Sequence, residues 1–226
     1  MIVVETFADG RSEALTDDPD YHVIVRYYES CLARHGDTHR GVDWPDVRDA
    51  ETRYRVMTEV IRRHDAPVTL LDFGCGAAHL YEWMLQQRVT GVAYSGLDLS
   101  PKFVELSRQK FPHQTFYQAD LLTDPDGIPT FDYVVMNGVF TEKRQLTYPA
   151  MLEYLQQLVR AVFEKARIGI AFNVMSKHVE WERDDLFHLP HDTLASFLTR
   201  HVSRHFVMRS DYGLYEYTTY VYRSPG

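Results

Sequence analysis

Cysteine is scarce, cations are outnumbered and long apolar runs are missing, and each shortage excludes a class of protein. The 226 residues hold two cysteines, Cys31 and Cys75, too few for a disulfide framework and without partners at metal-ligand spacing. Lys and Arg number 24 against 32 Asp and Glu, a formal net charge of −8. Phosphate backbones need clustered cations, so no nucleic acid partner is expected. No run approaches the roughly 20 apolar residues that span a bilayer. Met1–Val4 leads at once to Glu5 and Asp9 with no basic residue before it, so no signal peptide or membrane partner is expected and the protein reads as cytoplasmic. What is present, 45% hydrophobic and 25% charged residues, fits one sizeable core and excludes a disordered or fibrous chain. Composition leaves the oligomeric state unknown.

Residues 1–20 carry Asp9, Gly10, Asp17, Asp18, Pro19 and Asp20, which reads as a mobile arm. Residues 21–64 read as a helical cap. Tyr21, Ile24, Val25, Tyr28 and Leu32 recur at helical spacing up to a stop at Gly36; a second helix is expected to be capped by Asp43, with Pro45 in its first turn and Ala50, Tyr54 and Met57 on its apolar face. From residue 65 to 226 short β-rich runs alternate with helix-length segments. Strands are predicted at Val68–Phe73, Ala93–Leu99, Thr115–Ala119, Tyr133–Met136 and Ile168–Met175, and helices near Ala77–Gln87, Pro101–Lys110, Tyr148–Lys165 and Thr193–His201. A terminal hairpin turns at Asp211–Gly213. The expected fold is α/β: a doubly wound, seven-stranded, mostly parallel sheet with an antiparallel C-terminal hairpin strand and an N-terminal helical cap.

The informative segment is Leu70-Leu71-Asp72-Phe73-Gly74-Cys75-Gly76-Ala77-Ala78-His79, a strand running through a glycine turn into a helix. Gly74 and Gly76 let a ligand approach the backbone, and in open sheets ligands bind beyond the carboxyl ends of the strands. Asp72 would repel a pyrophosphate but attract an ammonium or sulfonium group. Asp98 ends the second strand, where a carboxylate can accept two ribose hydroxyls, and Asp120 follows the third, within reach of an exocyclic amine. Each acid alone also reads as a loop carboxylate or helix cap; their placement at three successive strand ends carries the reading.

These residues resemble the class I S-adenosylmethionine-dependent methyltransferases over residues 68–223. Leu71-Asp72-Phe73-Gly74-Cys75-Gly76 is similar to that family's first motif, Gly96-Leu97-Asp98-Leu99-Ser100 to its acidic second-strand end, Gln118-Ala119-Asp120-Leu121 to its adenine loop, and Phe131 to Gly138 to its fourth strand. Ala78 departs from the family's third glycine. The resemblance implies S-adenosylmethionine as cofactor, with Asp72, Gly74 and Gly76 on its methionine portion, Asp98 and Leu99 at the ribose, Asp120 and Leu121 at the adenine and Asn137 near the transferred methyl. Residues 27–44 also look like the leaders of bacterial small-molecule methyltransferases, some from glycan or secondary-metabolite pathways. The implied activity is O- or N-methylation of a small molecule.

Arg53 is the candidate partner for the cofactor's carboxylate. His178, on the loop after the fifth strand, is the candidate general base for a hydroxyl acceptor. Tyr28, Trp44, Phe140, Trp181, Tyr212 and Tyr215 are the candidate acceptor-site residues, each also readable as core or surface. Nucleic-acid amino methyltransferases carry Asp/Asn-Pro-Pro-aromatic after the fourth strand, where this chain has Asn137-Gly138-Val139-Phe140. Asn137 and Asn173 stand where a metal-dependent site would need carboxylates, so no metal is expected. Two other readings of the same residues are a noncatalytic methyltransferase-like binding module and a nicotinamide-dependent oxidoreductase, the latter disfavoured by Asp72 and by His79 in place of a glycine.

Overall fold

The computed structural model describes residues 20–62 and 65–226. The arm expected over residues 1–20 therefore lies, Asp20 apart, outside the described residues. Two helices lead, α1 (His22–His35) and α2 (Val47–Thr58), separated by a short 3-10 turn at His39–Val42. β1 (Val68–Phe73), α3 (His79–Gln86), β2 (Val92–Asp98), α4 (Pro101–Lys110) and β3 (Thr115–Gln118) form the first half of the sheet. β4 (Phe131–Phe140), α5 (Tyr148–Lys165), β5 (Ala166–Ser176), β6 (His188–Leu189), α6 (His191–His201), β7 (His205–Arg209) and β8 (Glu216–Tyr222) complete it.

The sheet runs β3-β2-β1-β4-β5-β8-β7, with the two-residue β6 beside the end of β5. All pairings are parallel except β5 with β8 and β8 with β7. The expected seven-stranded, mostly parallel sheet with its antiparallel hairpin strand and leading helices is thus present. Strand order reverses at β1, between β2 and β4, which opens a crevice at the carboxyl ends of these strands. Register keeps those ends level: Asp72 lies opposite Gly96 and Asp98 opposite Gln118.

Alternation along the strands divides the core between the two faces. Leu71 and Phe73 of β1 join the cluster holding Met151 and Leu155 of α5, while Val68 and Leu70 join the one holding Ala50, Tyr54 and Met57 of α2. Local chemistry sets the helix starts: Ser100 accepts from Phe103 N–H ahead of Pro101, and Thr147 accepts from Ala150 N–H ahead of Pro149.

Three expectations need correction. Asp46, not Asp43, caps α2, accepting from Arg48 N–H at 2.7 Å. Asp43 closes the 3-10 turn at φ 60° and accepts from the Tyr27 hydroxyl at 2.8 Å, so Pro45 lies ahead of the cap. α3 starts at His79 rather than Ala77 because Gly74, Gly76 and Ala78 all have positive φ. β4 continues past Met136 to Phe140 through an irregularity at Gly138, φ 79°.

Candidate active site

The glycine turn after β1 and the ends of β2 and β4 enclose a cleft of about 940 Å³, counting its open mouth. Asp72, Gly74, Gly76, Asp98, Leu99 and Asn137 all line it. Gly74 sits at φ 74°, and a Cβ there would come within 2.8 Å of Val139 Cγ2. Asp98 is aimed by the backbone, its Oδ2 accepting from Gly76 N–H and its Oδ1 from Ser100 N–H, both at 2.9 Å. Asp72 accepts from the Tyr94 hydroxyl at 2.9 Å.

Burial dominates the electrostatics. It pushes the Asp72 carboxyl up to about 7 against the Tyr94 hydrogen bond, with the nearby Asp98 charge adding to the rise. Asp98 is pushed up to about 6 by burial, moderated by its backbone donors. Two carboxylates held against their preference favour a cation beside them. Asn137 Oδ1 is buried with no hydrogen-bond partner among the described residues, an acceptor in want of a donor. Acidic groups, an orphan amide oxygen and glycine-thinned backbone fit a ligand with an ammonium, a sulfonium and ribose hydroxyls. They do not suit a pyrophosphate.

Asp120 and Leu121 do not line this cleft. Asp120 accepts from the Tyr21 hydroxyl at 2.6 Å, and Tyr21, stacked on Tyr154 at 4.7 Å, lines the cleft instead. Leu121 belongs to the core.

A second cavity, about 1610 Å³ with its mouth, adjoins the first, and Trp44 lines both. Gly138 makes room for Trp44, since a Cβ there would meet the indole at 2.9 Å. Arg53 lines the second cavity and not the first, so the structure does not bring it to the glycine cradle. It is committed to Glu216, with Nε at 2.9 Å and Nη2 at 2.8 Å from Oε2, and lies over Trp44 at 4.2 Å.

Of the remaining candidates, Tyr28 lines the first cleft and Trp181 and Tyr215 the second, where both are largely exposed. Phe140 is enclosed in the core, and Tyr212, bonded to Thr218, lines neither cavity. His178 faces a smaller opening beside His191, ring centroids 5.5 Å apart, rather than the second cavity.

Sequence reasoning missed Glu216, Glu142 and Tyr21. Glu216 had a signal, a lone acid in the aromatic β8 run. Glu142 had none: it follows β4 by two residues, lines the second cavity, and is raised by burial although Arg144 lies 2.9 Å away.

Comparison with known proteins bears on the same residues. A family model described as a methyltransferase domain matches residues 71–166. A Mycobacterium tuberculosis protein named as a methyltransferase is 26% identical over 157 residues, covering 69% of this chain and 93% of that one. The fold is similar to a magnesium protoporphyrin IX methyltransferase from Synechocystis with bound S-adenosylmethionine (TM-score 0.65, 16% identity, 93% of this chain and all of that one). It is also similar to the 1,6-didemethyltoxoflavin N1-methyltransferase of Burkholderia thailandensis, solved with its namesake compound and S-adenosylhomocysteine (TM-score 0.59, 17% identity, 97% and 98% covered).

Proposed function

We propose that this chain, a class I S-adenosylmethionine-dependent methyltransferase, methylates a small-molecule acceptor at oxygen or nitrogen. Residues 65–226 are the catalytic domain in this reading and residues 21–64 its cap. The observation that carries it is the pairing of two cavities through one side chain: an acidic, glycine-floored cleft and a larger cavity share Trp44.

Bound S-adenosylmethionine supplies an electrophilic methyl group for in-line displacement, and that chemistry is the cofactor's own. Asp72 holds the ammonium, Asp98 the ribose hydroxyls, and Asn137 offers its unpaired oxygen beside them. Trp44 and Tyr28 exclude water and set the approach of the acceptor, so most of the protein's contribution is alignment. Where the acceptor is a hydroxyl, Glu142 is the proton-accepting group that faces the second cavity, its basicity raised by burial. His178 lines a neighbouring opening that shares Tyr215 and Glu216 with the second cavity, and in this reading Glu142 takes the role first given to it.

Calorimetry with S-adenosylhomocysteine and with NAD tests the donor half: tight binding of the first alone is expected, and Asp98→Ala should weaken it at least about 100-fold, because a bidentate charged partner to two hydroxyls is lost. A preference for NAD would end the reading. A methyl-transfer screen across sugars, nucleotide sugars, amino acids and polyketide fragments tests the acceptor half. No product from any small molecule, with the donor bound, would sink it.

A further inference from the structure

Arg53, Glu216 and Asn173 come from α2, β8 and β5 and meet in one polar cluster. Glu216 and Asn173 are 1% and 0% exposed, and the Arg53 side chain is 11% exposed. A buried ion pair of this kind is weak support for a fold, since well-packed apolar residues do as well. Every atom but one is nevertheless engaged. Glu216 Oε1 accepts from Asn173 Nδ2 at 2.9 Å, Asn173 Oδ1 accepts from Gly138 N–H at 2.8 Å, and Glu216 Oε2 takes both Nε and Nη2 of Arg53. Arg53 Nη1 is buried with no acceptor among the described residues. The guanidinium is fixed in plane and orientation by Glu216 and Trp44, and Arg53 is one of the residues that line the acceptor cavity, its buried Nη1 the one donor left unspent.

The charge around that donor selects the ligand. Glu216 offsets Arg53, Asp185 offsets Arg183 and Arg144 offsets Glu142, which leaves Asp43, Asp49 and Glu180 against Arg40 along the lining. A carboxylate would meet this acidic surplus, whereas a neutral sp2 oxygen takes the free N–H without bringing charge. Resting on the methyl-transfer reading above, we propose that the Trp44–Arg53 corner is the acceptor-recognition site and selects neutral molecules through a carbonyl oxygen that accepts from Arg53 Nη1. Asn173 then ties this corner to Gly138, next to Asn137 of the donor cleft.

Three probes on one bicyclic frame test it by calorimetry on protein saturated with S-adenosylhomocysteine: 2-quinolinone, naphthalene and 2-naphthoate. The lactam should bind about ten-fold or more tighter than naphthalene, which has no acceptor for the N–H, and than the carboxylate, which brings charge to an acidic lining. Arg53→Met, which keeps the stem against Trp44, should abolish that preference in protein that still binds S-adenosylhomocysteine, since Arg53 itself does not line the donor cleft. Equal binding of the three by the wild type, tighter binding of the carboxylate, no saturable binding of the lactam, or a preference that survives Arg53→Met each overturns the proposal. The wild-type comparison decides even if the variant fails to fold. Failure of the protein to bind S-adenosylhomocysteine at all would instead strike the donor reading, and this proposal with it.

Discussion

Two carboxylates under one glycine turn make the donor cleft sensitive to pH in a direction opposite to ordinary acids. Asp72 and Asp98 are raised by burial to about 7 and about 6, from an unfolded value near 4. The folded protein then holds more protons than the unfolded chain between about pH 4 and 7, so these groups cost stability as pH rises through that window and return it as pH falls. A cationic ligand reverses the shift and drives protons off. Binding of S-adenosylmethionine at pH 6.5 should therefore release a substantial fraction of a proton, falling towards none at pH 8.5, read as the dependence of calorimetric heat on buffer ionisation enthalpy. Affinity should weaken on acidification below pH 6. Heat independent of buffer at pH 6.5 would contradict the assignment of the cation to these acids. At this scale the sequence was readable because a carboxylate next to glycine at a strand end is a local pattern. Asp120 was not, because its partner Tyr21 lies 99 residues away along the chain.

Element ends depend on a few backbone positions, and two of them predict opposite outcomes. Ala78, at φ 57° ahead of α3, occupies a conformation that costs a residue with a Cβ roughly 1–2 kcal/mol. Ala78→Gly relieves this but removes a buried methyl worth about 0.8 kcal/mol, so the thermal midpoint should stay or rise by a few degrees. Gly138→Ala adds a Cβ at φ 79° and at 2.9 Å from the Trp44 ring, so it should cost at least about 1–2 kcal/mol and shift tryptophan emission as the indole is displaced. A Gly138→Ala protein with wild-type melting and emission would remove Trp44 from the wall between the cavities. The same positions explain what was legible. α4 and α5 start at Pro101 and Tyr148, where the sequence reading placed them, with Ser100 and Thr147 as the capping side chains. The cap of α2 was misplaced because Asp43 and Asp46 are both competent, and only the long-range Tyr27 hydrogen bond takes Asp43 out of use.

Across the whole molecule, the doubly wound sheet and the location of the crevice at the strand ends followed from strand spacing, since parallel β-α-β units permit few arrangements. The acceptor cavity followed only in part. Trp44, Trp181 and Tyr215, expected at the acceptor site, line it, but its walls come from the leading helices, the loop beyond β4, the segment after β5 and the hairpin, and no pattern within any one of them says that Arg53 and Glu216 will meet 163 residues apart. No helix among the described residues is long and apolar enough to cross a membrane. The start of α1 also has a kinetic meaning. Tyr21 lines the donor cleft, stacks on Tyr154 and donates to Asp120 at 2.6 Å, contacts through which it can act as a hasp on the cleft. Tyr21→Ala should speed both arrival and departure of S-adenosylhomocysteine in stopped-flow measurements, with a smaller change in the equilibrium constant; unchanged rates would mean that the hasp never latches. Turnover in this protein would then be timed by the unfastening of one tyrosine, and a sequence change some fifty residues before the glycine turn could set the pace of a reaction it never touches.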